Sequence, residues 1–188
     1  MSLRVHAATG LLEGVRQVLS PHQDARPAGV EPDLIVMHGI SLPPGQFGGP
    51  WIEKLFAGNL PREGDPYFAQ IHGMRVSAHL LVRRDGELVQ FVAFGLRAWH
   101  AGASEYEGRA ACNDFSIGIE LEGADESPYQ AVQYQAASAA IRALLAAYPK
   151  LAPTRIVGHS DIAPGRKTDP GSAFDWSHLR ALVGVDGA

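Results

Sequence analysis

The chain has 188 residues, 46% apolar and 19% charged, with 16 Lys+Arg against 20 Asp+Glu for a formal net charge of −4. That usage excludes a disordered or fibrous chain, and the length predicts one domain able to bury about 70% of its unfolded surface. No basic block exceeds Arg83-Arg84, so neither nucleic acid nor an anionic membrane is an expected partner, and a lone Cys112 excludes an internal disulfide and points to a reducing compartment.

The opening residues, Met1 to His6, carry no charged segment followed by an apolar core, which predicts a cytoplasmic location. Leu34 to His38 is a short apolar run between Pro32 and Gly39, suited to a central strand covered on both faces, with His38 at its exit. The longest uncharged apolar-leaning run, Leu34 to Ile52, contains three prolines and four glycines, which forbids a continuous membrane helix, and the Pro- and Gly-rich stretch from Gly39 to Pro66 leaves room for one short helix at Trp51 to Phe56. A long loop of this kind is expected to cover a substrate. Ala78–Val82 and Glu87–Phe91 flank an Asp-Gly pair and predict a hairpin. In Phe115 to Leu121 the apolar residues fall at odd positions, so Ser116, Gly118 and Glu120 face the other way. Ser127-Pro128 signals a helix start, Ala137, Ile141, Leu144, Leu145 and Tyr148 form its stripe, and Pro149 stops it. Ile156 to His159 reads as a second short strand ending in histidine, followed by an irregular loop and a last helix that Asp175 caps. The expected fold class is α/β, a single domain with a central mixed sheet flanked by helices.

Two histidines, His38 and His159, thus stand where apolar strands give way to loops, the place where α/β proteins put reactive groups. The loop after His159 adds Asp161, Asp169 and Lys167. Two imidazoles and one carboxylate make three protein ligands with a fourth position open to water, the composition of a hydrolytic zinc site. Which aspartate completes the set stays open at this level, and strand-end histidines that serve only as hydrogen-bonding groups are the alternative.

The segments Ser20-Pro21-His22, His38 to Gly45, Arg75 to His79, Arg97 to Gly102, Cys112 to Gly123 and Gly158 to Trp176 together resemble the zinc-dependent amidase-2 family, in its branch of cytoplasmic anhydromuramyl-L-alanine amidases. Trp-His-Ala-Gly and Gly-His-x-Asp-Ile-Ala-Pro are shared across the wider superfamily; Leu-Pro-Pro-Gly and Lys-Thr-Asp-Pro-Gly narrow the resemblance to that branch. It implies one zinc per chain held by His38, His159 and Asp169, with Asp161 a neighbouring structural carboxylate. Glu120 corresponds to the family's catalytic acid and Lys167 to its charged partner near the scissile carbonyl. The implied substrate is a small anhydromuramyl peptide. Trp99 offers a flat face for a sugar ring, and Arg75 and Arg166 offer forked guanidinium groups for the carboxylates of a stem peptide. The chain departs from the family pattern at Gly39, where asparagine is common, leaving a side-chain amide missing near the metal and substrate. Two rivals stand beside this reading: a peptidoglycan-fragment binding module without catalysis, and an amidase acting on the polymeric cell wall.

Overall fold

A computed structural model describes residues 3–184. Four short strands, β1 (Val5–His6), β2 (Leu11–Leu12), β3 (Arg16–Gln17) and β4 (Gln23–Ala25), lead into the seven-residue β5 (Leu34–Ile40) and helices α1 (Trp51–Phe56) and α2 (Phe68–Ile71). Strands β6 (Leu80–Val82), β7 (Leu88–Gln90), β8 (Leu96–Ala98), β9 (Glu105–Tyr106) and β10 (Arg109–Ala110) precede β11 (Ser116–Glu122). Helix α3 (Ala131–Ala147), strand β12 (Ile156–Gly158), the single turn α4 (His159–Ile162) and helix α5 (Trp176–Val183) complete the order.

The main sheet runs β12-β5-β11-β6-β7-β3. Its first four strands are parallel, β6 and β7 form the antiparallel hairpin, and β3 adds parallel to β7, so the sheet is mixed as expected. The two long central strands decide what lies where. Ile35 and Met37 of β5, with Ile117, Ile119 and Leu121 of β11, pack against Ala137, Ile141 and Leu144 of α3 and Leu179 and Val183 of α5. The alternate residues point the other way, where Leu34 and Val36 meet Ala101, Cys112, Phe115 and Ile162. His38 and Glu120 continue that second face at the C-terminal ends of β5 and β11, and they are directly paired in register. Period 2 thus divides the apolar residues of β5 between two layers and carries His38 and Glu120 to the opening of the sheet.

Several boundaries differ from the sequence reading. Helix α3 starts at Ala131 instead of Ser127-Pro128, with Gln130 at its N-cap and the Gln130 N–H donating to Gln133 Oε1 at 3.0 Å. Strand β5 continues two residues past His38 because Gly39 and Ile40 still pair with Leu121 and Glu122. His159 begins a helical turn instead of an irregular loop, with the Asp161 carboxylate accepting from Gly158 N–H at 2.7 Å. Asp175 caps α5 as anticipated, accepting from His178 N–H at 2.8 Å. Among the described residues no helix is long and apolar enough to cross a membrane.

Candidate metal centre and catalytic cleft

A cavity of about 450 Å³ opens at the C-terminal ends of β5 and β11, and His38, Glu120, His159, Lys167 and Asp169 all line it. His38 comes from β5, His159 from the first residue of α4, and Asp169 from the loop beyond. Ser160 N–H donates to the Asp169 carbonyl at 3.0 Å, which brings that loop back beside α4. His38 Nδ1, His159 Nδ1 and Asp169 Oδ2 then lie 3.0, 3.0 and 3.1 Å apart. Donor atoms on a tetrahedron of zinc bond length, about 2.0–2.1 Å, lie about 3.3 Å apart, so the three positions fit such an ion. His38, His159 and Asp169 also form a group able to hold a metal ion by their donor chemistry.

Proton positions support the same fit. His159 Nε2 lies 3.2 Å from the Ala101 carbonyl, which can only accept, so Nε2 carries the hydrogen and Nδ1 presents a lone pair. At the other ring, Ser116 Oγ–H donates to the Cys112 carbonyl at 2.6 Å and accepts from His100 Nε2–H at 3.2 Å. His100 Nδ1 is therefore an acceptor, and His38 Nε2–H donates to it at 2.9 Å. Burial pushes the His38 imidazole down to about 4, so the ring is neutral at pH 7. In these tautomers two imidazole lone pairs and a carboxylate oxygen converge on one point, an arrangement that a bound cation would satisfy.

Glu120 stands on the same face one strand over. Its Oε2 is buried and has no hydrogen-bond partner among the described residues. Burial, and then the neighbouring Asp169 carboxylate, push its pKa well above the ordinary value, partly opposed by Lys167. A carboxyl group of this kind, poised to take and return a proton, suits acid-base chemistry. Asp161, by contrast, is occupied with the Gly158 N–H, so Asp169 completes the cluster.

The family model described as N-acetylmuramoyl-L-alanine amidase matches residues 28–172, which span all five of these site residues. The chain belongs to that amidase family. It is 59% identical over 174 residues to the 1,6-anhydro-N-acetylmuramyl-L-alanine amidase AmpD of Escherichia coli (strain K12), covering 93% of this chain and 94% of the relative. A crystal structure of a selenomethionine derivative of AmpD superposes with a TM-score of 0.91 at 56% identity, covering 93% of this chain and 97% of that one. AmpDH3 from Pseudomonas aeruginosa, solved in complex with anhydromuramic pentapeptide, shares the fold at a TM-score of 0.58 and 27% identity, over 80% of this chain and 59% of that one. The protein is thus an N-acetylmuramoyl-L-alanine amidase, and the binding-module alternative is set aside.

In this amidase the substrate candidates divide. Trp99 lines the cavity, with its indole N–H donating to Asp24 Oδ1 at 3.2 Å and its ring stacked on His22. Arg75 does not line the cavity but lies over the Trp99 ring, 4.9 Å from its centroid. Arg166 is not brought to the cavity. Its guanidinium clamps the Ala101 and Ala103 carbonyls at 2.6 and 2.7 Å and so holds the turn that receives His159. The end of β5 contributes Ile40 and the loop after it Ser41, Pro44 and Gly45 to the wall, while Gly48 N–H further along that loop donates to buried Glu122 at 2.6 Å. At Gly39 an added Cβ would meet the Tyr129 hydroxyl at 2.3 Å, and that hydroxyl donates to the Pro170 carbonyl at 2.8 Å. The side of the backbone where an asparagine would begin is therefore filled by Tyr129, next to the loop that carries Asp169.

Two residues given no role in the sequence reading organise the turn beneath the cavity. Asn113 Oδ1 accepts from the backbone N–H groups of His100 and Ala101 at 3.1 and 2.8 Å. Arg26 donates to four carbonyls, those of Phe94, Asn113, Asp114 and Ser116. Asn113 lies within the segment that carries the family resemblance; Arg26 has no local pattern that would have marked it. His79, buried beneath them, accepts from Gly118 N–H and donates through Nε2 to Leu96 O, both at 3.0 Å, which is a structural role.

Gly118 matters by its lack of a side chain. A Cβ there would lie 2.4–2.7 Å from three atoms of the His100 ring. Gly118→Ala is expected to destabilise the metal-free protein by about 1–3 kcal/mol, as overpacking does. Urea unfolding checks this, and a midpoint equal to the parent's would show that His100 is not held against the strand.

Proposed function

We propose that this amidase, as a single domain, holds one zinc ion on His38, His159 and Asp169. In this reading it hydrolyses the amide between the lactyl group of 1,6-anhydro-N-acetylmuramic acid and the L-alanine of a stem peptide, in cytoplasmic peptidoglycan recycling. The observation that carries the proposal is the convergence of three lone-pair donors beside the unpaired Glu120 carboxylate in one cavity. Bound zinc supplies Lewis-acid activation of water and of the amide carbonyl.

The remaining chemistry falls to side chains. Glu120 takes the proton of the attacking water as its oxygen bonds to the carbonyl carbon. As the carbon–nitrogen bond breaks, Glu120 returns that proton to the departing amine, leaving a lactyl carboxylate and the free amino group of L-alanine. Negative charge builds on the carbonyl oxygen in between, and the Lys167 ammonium on the cavity wall stabilises it there. Trp99, on the cavity wall with Arg75 over its ring, is the residue assigned to the sugar.

Lys167→Ala is expected to lower kcat and kcat/KM together by about a hundredfold to a thousandfold, the pattern of an interaction made in the transition state. A rise in KM with kcat unchanged would instead assign Lys167 to ground-state binding. The substrate itself is tested by supplying an anhydromuramyl peptide and intact sacculi side by side, with products followed by mass spectrometry. Strong preference for the small fragment is expected; comparable peptide release from sacculi would overturn the recycling assignment in favour of a wall-degrading amidase.

A further inference from the structure

We infer that His100 and Ser116 are positioning residues for the metal ligand His38, forming a one-directional hydrogen-bond chain that commits His38 Nδ1 to the ion. This rests on the zinc reading above and extends it to residues that do not touch the metal. The chain runs from His38 Nε2–H to His100 Nδ1 at 2.9 Å, from His100 Nε2–H to Ser116 Oγ at 3.2 Å, and from Ser116 Oγ–H to the Cys112 carbonyl at 2.6 Å. A carbonyl oxygen has no hydrogen to give, so the last link sets the sense of every link before it. His38 is left with its hydrogen on Nε2 and its lone pair on Nδ1, facing His159 and Asp169. His159 reaches the same tautomer in one step through Ala101. Metal-ligating histidines commonly depend on such an outer partner for ring orientation and basicity.

The relay is held from both ends. The His100 backbone N–H is fixed by Asn113 Oδ1, and its ring lies against the bare backbone of Gly118. Ser116, Gly118 and Glu120 share one face of β11. That single strand face therefore supplies the end of the relay, the space for its middle ring and the carboxylate of the catalytic cleft. The intervening imidazole of His100 transmits polarity because its two nitrogens take opposite roles.

The test is zinc affinity, measured by competition with a chromogenic chelator on zinc-loaded parent, His100→Phe, His100→Asn and Ser116→Ala. His100→Phe keeps a ring but offers no acceptor, and its zinc affinity is expected to fall about tenfold to a hundredfold. His100→Asn can place an oxygen where Nδ1 stood, and it is expected to recover most of that loss. Ser116→Ala is expected to fall between them. Imidazole 15N–1H correlation spectra of the zinc-loaded parent should show His100 with its hydrogen on Nε2. Parent-like zinc affinity in a folded His100→Phe, or His100 protonated on Nδ1, would overturn the relay while leaving the zinc site standing. A parent that binds no stoichiometric zinc would instead overturn the zinc reading on which the relay rests.

Discussion

Asp169→Ala is expected to fold, to retain no stoichiometric zinc after reconstitution and to lose essentially all turnover, whereas Asp161→Ala keeps both. The contrast is informative because the two carboxylates lie eight positions apart, Asp161 in α4 and Asp169 in the loop beyond it, and are chemically identical. Asp169 Oδ2 lies 3.0–3.1 Å from both histidine donor atoms. Two protein ligands fall short of the usual three for a hydrolytic site, and the pair of imidazole lone pairs then lacks its anionic companion. Asp161 accepts only from Gly158 N–H at the start of α4, so its loss is expected to cost about 1 kcal/mol of stability. Metal analysis by mass spectrometry, with turnover measured on the same samples, checks both variants. Zinc retained at one equivalent in Asp169→Ala, or lost in Asp161→Ala, would mean that the ligand set is wrong.

Glu120→Gln is expected to keep zinc and lose activity by about a hundredfold to ten-thousandfold, the usual contribution of a general acid-base group. The same variant should be more stable than the parent when both are free of metal. The folded-state pKa of Glu120 is raised, so its stabilising effect belongs to low pH. Above the unfolded value the unfolded chain releases a proton that the folded chain resists releasing, and stability falls as pH rises through the folded pKa. Above that window the folded protein carries a buried carboxylate whose Oε2 has no partner among the described residues. Replacing it with a neutral amide is expected to raise stability at pH 8 by about 1 kcal/mol, or about 2–4 °C in Tm for a chain of this size. Thermal unfolding of the metal-free pair at pH 4 and pH 8 reads this directly, with the gain confined to the higher pH. Turnover near the parent rate would remove Glu120 from the proton-transfer role, and an equal or lower Tm at pH 8 would show that its carboxylate is not strained.

Much of the fold was legible in local pattern. The alternation in Ile117 to Leu121 placed Glu120 opposite the apolar layer, and β11 presents it so because successive side chains on a strand alternate, whereas Phe115, read into the same face, precedes the strand and packs with Leu34 and Val36 instead. The Asp-Gly pair marked the β6–β7 hairpin, and Asp175 marked the start of α5, since turn and cap chemistry involve residues only a few positions apart. Boundaries set by competition among neighbours were less visible. Ser127-Pro128 is a sound helix start by itself, yet the helix begins three residues later, where Gln130 N–H donates to the Gln133 side chain.

What the amino-acid sequence determined by itself was therefore the inventory: a mixed α/β chain with two histidines at strand ends, a carboxylate on the polar face of a strand and a lysine-aspartate loop, in the order of an amidase family. Only the tertiary structure decided which groups meet. Asp161 and Asp169 are equivalent on paper, and a backbone hydrogen bond from Ser160 to the Asp169 carbonyl turns one toward the histidines while α4 takes up the other. Arg166 has the chemistry to bind a carboxylate, but the Ala101 and Ala103 carbonyls hold it first. His100 becomes a neighbour of His38 only because Gly118, 18 positions further along, leaves room for its ring. Such pairings depend on directional contacts between segments far apart in the chain, and side-chain type and spacing carry no information about them until the strands are in register.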